Sequence, residues 1–467
     1  MTPRVAKAPR GGAAARPEPG PPRPYHFPRF ERRALGNGMQ LVVAPVHKLP
    51  LVTAIAVVDA GATWDHAGRE GAAALVASLL SEGTASMDGD TLTLELERLG
   101  ASLVTGGDWD AGTAGITVTR ERLAPALRLL AEAVMAPSFP AREIERLRGE
   151  RLAELLQLRT EPRGLANEMA TRFAYAPDAR YSRPLGGTRE SVRSVGARDI
   201  GELYAARYRP AATTLVLAGD IGADDAAELV ESIFGDWSGA SPAQGAGVPD
   251  TPNPAPRAVH LVAKPEAPQS EVRILHPGIP RVHPDYFQVV VMNAVLGGLF
   301  SSRINLNLRE RNAYTYGARS EFDWRRGAGP FVVSTAVASN VTAPAAREVL
   351  KEIERIRREP IDEDELSLAT HYLAGVFPIR YETTAAIATA LVNLVIYGLE
   401  DDYFDTYRDG IRAVAAEDVL AAAQRHLHPE RLRTVVVGDP ATVRSSLEAL
   451  DAGEVRVYDS EGRPIER

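Results

Sequence analysis

The chain of 467 residues contains no cysteine. Disulfides, thiolate metal sites and cysteine nucleophiles are thereby excluded, and any metal must rest on histidine and carboxylate. Long hydrophobic runs are missing as well: no uninterrupted apolar stretch approaches the roughly 20 residues of a membrane-spanning helix. There is no basic excess, since 53 Lys+Arg face 61 Asp+Glu for a formal charge of −8. That balance argues against a nucleic-acid binder, whose affinity depends on neutralising phosphates. No G-x-G-x-x-G follows a strand pattern and no G-x-x-x-x-G-K-[ST] occurs, so the common nucleotide cradles are absent. A G-x-S-x-G elbow is lacking, and none of the nine histidines forms His-Glu-x-x-His or His-x-x-Glu-His. What remains is ample for ordinary cores: 45% of residues are hydrophobic, and at roughly 100–200 residues per domain the length suggests two to four domains.

The chain is written twice. SVRSVGARDIGELYAARYRPAATTLVLAGDI, from Ser191, aligns without gaps on GIRAVAAEDVLAAAQRHLHPERLRTVVVGDP, from Gly410. Asp199 falls on Asp418, Pro210 on Pro429, Gly219 on Gly438 and Asp220 on Asp439, all at an offset of 219 residues. Each copy reads as an amphipathic helix opened by Asp, a Pro-marked break and a β-branched strand ending in Gly-Asp. Residues 238–257 are rich in Pro, Gly, Ala and Ser and read as the linker between the copies. Residues 1–28 read as a disordered tail without the apolar core of a secretory signal. Its Arg4, Lys7, Arg10, Arg16 and Arg23 against Glu18 leave binding to an acidic surface as the alternative to a solvated leader. The expected compartment is the cytoplasm, with the periplasm as the alternative if translation starts elsewhere.

The expected domains are thus a first half at 29–237, a second half at 258–450 and a C-terminal extension at 451–467. Each half opens on a strand, MQLVVAP at 39–45 and EVRILHPG at 271–278, and closes on the β-branched one. Strands and helices interleave without strict alternation, so the expected class is α+β, two homologous half-domains each with a mostly antiparallel sheet packed with helices. The Gly-Gly pairs at 106–107, 186–187 and 297–298 read as turns. His426 and His428, the one close histidine pair, point apart if helical and read as a helix-end surface pair. His66 and Glu70 have ligand spacing but lie in a Gly-flanked polar segment, which favours a loop.

The segments AGATWDHAGREGAAALVASLLSEGT (60–84), SFPAREIERLRGERLAELLQ (138–157) and RYSRPLGGTRESVRSV (180–195) resemble the first half of the pitrilysin/insulinase family of zinc peptidases, the inverzincins. VLGGLFSSRINLNLRERNAYTYGARSE (295–321) is similar to that family's Gly-Gly, Ser-Arg, Leu-Arg-Glu and Thr-Tyr segment. The resemblance spans about residues 29–450 and implies a duplicated half-domain architecture.

Its departures carry the functional expectation. Where the family has the two His and the Glu of His-x-x-Glu-His, this chain has Ala74, Ala77 and Ser78. Ala and Ser supply neither zinc ligands nor a carboxylate base, so no metal site is expected here. The family's third ligand falls on Glu154, which beside Arg151 and Arg159 reads as a surface or ion-paired residue. Arg309 and Tyr316 match the Arg/Tyr pair that the resemblance implies contacts the substrate and steadies the oxyanion. The ordinary alternative pairs Arg309 with a surface acid and places Tyr316 in the core. The resemblance implies a non-catalytic subunit of a heteromeric zinc peptidase, inactive alone, with no cofactor in this chain and zinc in a homologous partner carrying His-x-x-Glu-His. A peptide is the implied substrate, and a purely structural or peptide-holding scaffold is the alternative.

Overall fold

A computed structural model describes residues 24–239 and 251–465. Among the described residues, twelve strands form two six-stranded sheets. The first contains β1 (Glu31–Ala34), β2 (Gln40–Pro45), β3 (Leu51–Val58), β4 (Val104–Gly107), β5 (Gly112–Thr119) and β6 (Thr213–Gly219), in the order β1-β2-β6-β3-β5-β4. The second contains β7 (Ala258–Ala263), β8 (Gln269–Pro277), β9 (Ala318–Phe322), β10 (Pro330–Ala338), β11 (Arg433–Gly438) and β12 (Glu454–Tyr458), in the order β12-β7-β11-β8-β10-β9. Apart from the parallel pairs β2/β6, β7/β11 and β7/β12, all neighbours run antiparallel. The architecture is the expected α+β pair of half-domains with mostly antiparallel sheets.

The repeat holds in atomic detail. Asp199 accepts the Gly196 amide at 2.9 Å and Asp418 accepts the Ala415 amide at 3.0 Å, closing the same capping interaction on helices Ala197–Arg207 and Ala416–His426. Pro210 and Pro429 each open a short 3₁₀ turn that feeds β6 and β11. The sheet orders correct one correspondence: β2 matches β7, not the strand at 271–278, which is β8 and matches β3. Period-two patterning identifies strands but not which neighbour each will join.

Within the C-terminal segment, β12 pairs parallel with β7 and covers its outer edge. In the first sheet the corresponding place is taken by β1, antiparallel and from the other end of the chain. The tail assignment lies outside the described residues except at 24–28, where Phe27 is buried and stacks on Phe404 at 4.1 Å between ring centres. Two aromatics at the end of a Pro-rich stretch find a pocket that composition hides. At the far end of the linker, the Arg433 guanidinium donates to the carbonyls of Phe173 at 3.3 Å, Asn253 at 3.1 Å and Pro256 at 2.9 Å, pinning residues 253–256 to the second sheet.

The halves exchange helices. Helix Pro162–Ala174 of the first half lies on β8 and β11 of the second, and helix Thr384–Tyr397 of the second lies on β3 and β6 of the first. Leu165, Ala166, Met169, Ala170 and Phe173 recur at helical spacing and bury one face against Leu275, Val435 and Val437. Ile387, Ala388 and Leu391 do the same in a cluster with Val57, Val216 and Ala218. Helical stretch Tyr286–Arg311 is long and apolar enough to cross a membrane, yet 61% of its most apolar window is buried inside the protein. Val289, Val291, Met292, Val295 and Leu296 are core residues of the second half.

Candidate functional site

The degenerate motif sits on helix Ala72–Leu79. Gly71 precedes it with φ of 100°, and a Cβ there would stand 2.8 Å from the Gly186 carbonyl oxygen, so only glycine fits. Asp65 holds the helix start, accepting the amides of Gly71 and Ala73 at 2.8 Å each. Arg180 donates to the same carboxylate at 2.9 Å and to the Ala62 carbonyl at 2.9 Å. Burial pushes the Asp65 carboxyl up, opposed by Arg180 and the two amides, and burial lowers Arg180. His66 and Glu70 lie in the turn before the helix, as expected, with Glu70 buried against Arg183 at 3.2 Å.

The helix is thus well built, but its functional face is blank. Ala77 is fully buried, close to Gly107 of β4, while Ala74 and Ser78 are partly exposed. None of the three carries an imidazole or carboxylate. Glu154, on the neighbouring helix Ala141–Leu158, is 63% exposed and pairs with Arg151 at 3.1 Å. Arg159 turns instead to Glu168 at 2.9 Å and Glu461 at 3.2 Å. Of the Gly-Gly pairs only 186–187 lies by a turn. Gly106 and Gly107 belong to β4, and Gly297 and Gly298 are the last two residues of a π-helical segment, Ala294–Gly298.

Gly297 has a packing reason: its Cβ would fall 2.5 Å from the Ser320 nitrogen, so glycine lets the helix lie directly on β9. Around it, Asn293 Nδ2 donates to the Ser320 backbone carbonyl at 3.1 Å and Ser320 Oγ donates to Asn293 Oδ1 at 2.7 Å. Arg303 grips Glu365 with two bonds of 2.6 Å. Asn305 spans from the Phe300 carbonyl at 2.6 Å to the Ala318 amide at 3.0 Å. Thr315 Oγ1 donates to the Ala336 carbonyl at 2.7 Å and accepts the Gly317 amide at 3.1 Å.

This lattice fixes the turn before β9 and leaves Tyr316 at its tip, 95% exposed and far from the core position of the ordinary alternative. Tyr316 borders a cleft of about 1160 Å³ between helix Pro162–Ala174 and strands β8, β10 and β9. Arg309 lies 3.5 Å from Glu310, and its guanidinium stacks on the ring of Phe300 at 4.6 Å. Phe300 lines the cleft with Tyr316, so the two predicted residues meet the same opening, one directly and one through this ring. Phe300 carries no sequence expectation: its place two residues after Gly-Gly is readable, but its 67% exposure belongs to the structure. Facing it are Asn167, Arg163 and the Arg273–Glu271 pair at 2.9 Å, with burial lowering Arg273. The cleft offers donors, acceptors and an aromatic rim.

The expected surface pair at the end of helix Ala416–His426 is a further correction. His426 is buried and bonds Asp285 at 2.6 Å, because that helix packs its last turn on the start of helix Tyr286–Asn293.

Comparison with known proteins follows the same division. The model of the insulinase family (peptidase family M16) matches residues 42–189, and that of the peptidase M16 inactive domain matches residues 194–373. A probable mitochondrial-processing peptidase subunit beta of Schizosaccharomyces pombe is 26% identical over 58% of this chain and 59% of its own length. An uncharacterized zinc protease of Mycobacterium tuberculosis is 25% identical over 90% of this chain and 96% of its own. A solved structure of a peptidase M16 inactive domain from Pseudomonas fluorescens superposes with a TM-score of 0.81 at 23% identity, covering 88% of this chain and 98% of that one.

Proposed function

The chain belongs to the insulinase family of peptidases and lacks that family's zinc motif, and from that premise we propose that it is the non-catalytic subunit of a two-chain zinc peptidase. Its partner is a homologous chain bearing His-x-x-Glu-His, which supplies the zinc and the hydrolytic water. This chain supplies half of the peptide chamber, with Tyr316 and Arg309 as donors to the substrate backbone and to the oxyanion that develops when water attacks. A phenol and a guanidinium are directional donors suited to that charge.

The observation that carries the reading is the contrast between two places: a helix kept in full structural order with Ala74, Ala77 and Ser78 on it, and a Tyr316 held 95% exposed by a turn with its polar groups tied down. Kinship to a processing-peptidase subunit supports a partnered role.

The test is cleavage of a fluorogenic peptide library by this chain, by a homologue from the same genome that carries His-x-x-Glu-His, and by the two mixed. The chain alone should cleave nothing and the mixture should turn over. Arg309→Ala and Tyr316→Phe should each lower kcat/KM of the mixture by roughly 10²–10³-fold, the loss typical of an oxyanion donor. Turnover by the isolated chain would refute the reading, and variants that leave the mixture unchanged would favour the peptide-holding scaffold.

A further inference from the structure

Four of the nine histidines gather at one end of the second half. His276 closes β8, His283 lies in the turn beyond it, and His426 and His428 stand at the end of helix Ala416–His426, with ring-centre spacings of 5.3 Å for His276–His428 and 4.9 Å for His283–His426. Within this group His283, Asp285 and His426 each present one donor atom within 4.8 Å of the others, the one such trio among the described residues. Two packed helices hold it, since Asp285 precedes helix Tyr286–Asn293 and His426 ends helix Ala416–His426. His426 is buried, whereas His283 and Asp285 are partly exposed, so the trio has a rigid floor and a side open to solvent.

We propose that His283, Asp285 and His426 form a binding site for a divalent cation of the zinc class, with water completing the coordination. Two imidazoles and one carboxylate are the donor set that a borderline cation prefers, whereas calcium and magnesium take oxygen ligands. Metal–ligand bonds of about 2.0–2.1 Å in tetrahedral array set neighbouring donors roughly 3.3 Å apart. His426 Nε2 and Asp285 Oδ2 stand 2.6 Å apart as a hydrogen-bonded pair, so the carboxylate need withdraw by less than about 1 Å to admit the ion.

Three exchanges accompany binding. His426 binds as the neutral imidazole, so the proton that Nε2 shares with Asp285 moves through solvent to Nδ1 and the Nε2 lone pair turns to the metal. His283 gives up the Asp285 amide that its Nδ1 accepts at 3.0 Å. Arg425, 2.8 Å from Asp285 Oδ2 and 56% exposed, releases the carboxylate. Arg425 is therefore the built-in competitor of the cation. The site lies apart from helix Ala72–Leu79 and does not depend on the peptidase reading.

The test is titration of the full chain, stripped with chelator, by Zn²⁺ in a calorimeter and by Co²⁺ in visible absorbance. One equivalent should bind. His283→Asn and His426→Asn should each weaken binding by at least about 100-fold, taking the loss of a second-shell partner as the lower bound. His283 is partly exposed, so its variant keeps the test valid if the buried His426 variant fails to fold. Arg425→Gln should tighten binding by on the order of tenfold through removal of a neighbouring like charge, an effect that a merely structural cluster would not show. Absence of saturable binding, or unchanged affinity in His283→Asn, overturns the proposal. Loss of the equivalent in Glu154→Ala also overturns it and assigns the metal to the neighbourhood of Glu154 on helix Ala141–Leu158, which breaks the subunit reading instead.

Discussion

The two halves share a scaffold and differ in what they place on it. Each sheet carries a groove bounded by the helix lent from the other half. On the second sheet it is the cleft of about 1160 Å³ with Arg163, Asn167, Phe300 and Tyr316 around it. On the first sheet it is about 560 Å³ and lined mainly by small residues, among them Thr53, Thr113, Gly115, Thr117, Ala385 and Thr389. The same contrast holds for histidine: in the first half His47 is 61% exposed beside Asp220, while in the second His260 and His276 are buried. Duplication therefore copied strand order, caps and helix exchange, whereas side-chain chemistry diverged. Backbone architecture depends on many interchangeable apolar contacts, and a binding groove depends on a few particular side chains.

The sharpest way to break the comparison is at the exchanged helices, where the halves should be equivalent. Met169→Ala and Leu391→Ala, both fully buried, should each destabilise by about 2–5 kcal/mol. Because each helix belongs to one half and packs on the other's sheet, urea denaturation should show a single transition in both variants. Two separated transitions would mean the exchange does not couple the halves.

The next effect should be confined to the second half. Burial lowers both His260 and His276 to about 3. The fold needs them neutral: His276 donates from Nδ1 to the Pro277 carbonyl at 2.7 Å and accepts the His428 amide at Nε2, and His260 stacks on Phe173 at 3.9 Å. The unfolded chain takes up these protons near pH 6.5 and the folded one near 3, so stability is full above pH 6.5 and falls as pH drops towards 3. Between pH 6.5 and 4.5 each histidine should remove roughly 2–3 kcal/mol. His260→Phe, which keeps the stacking, should flatten the pH dependence of the urea midpoint by one histidine's share. An unchanged slope would show that His260 is not the group responsible.

The smallest effect compares two glycines that look alike in sequence. Gly297→Ala meets Ser320 at once and should destabilise by about 1–3 kcal/mol. Gly106→Ala meets nothing within 4 Å and should stay within about 0.5 kcal/mol. Thermal midpoints of the two variants check the ordering.

Much of the fold was readable because its signals are local. The Asp199 and Asp418 caps, the Pro210 and Pro429 breaks and the β-branched strands that follow are each fixed within a few residues, and they lie where the repeat placed them. The blank at Ala74, Ala77 and Ser78 was legible for the same reason, since a missing ligand is missing in any fold. Arg309 and Tyr316 were found by motif, yet the motif did not say that Phe300 would join them at one opening. The pairing of β7 rather than β8 with β2's role escaped because both are apolar runs of similar length. The packing of Phe27 on Phe404 escaped because its partner stands hundreds of residues away.

By itself the sequence determined the α+β class, the duplication, the absence of cysteine chemistry and the loss of the zinc ligands, all consequences of residue identity and short-range spacing. Only the tertiary structure decided that each half lends a helix to the other, that the larger cleft opens on the second sheet, and that His283, Asp285 and His426 converge. Those arrangements arise from apolar faces choosing partners across the chain, and hydrophobic burial rewards area without naming the surface that supplies it.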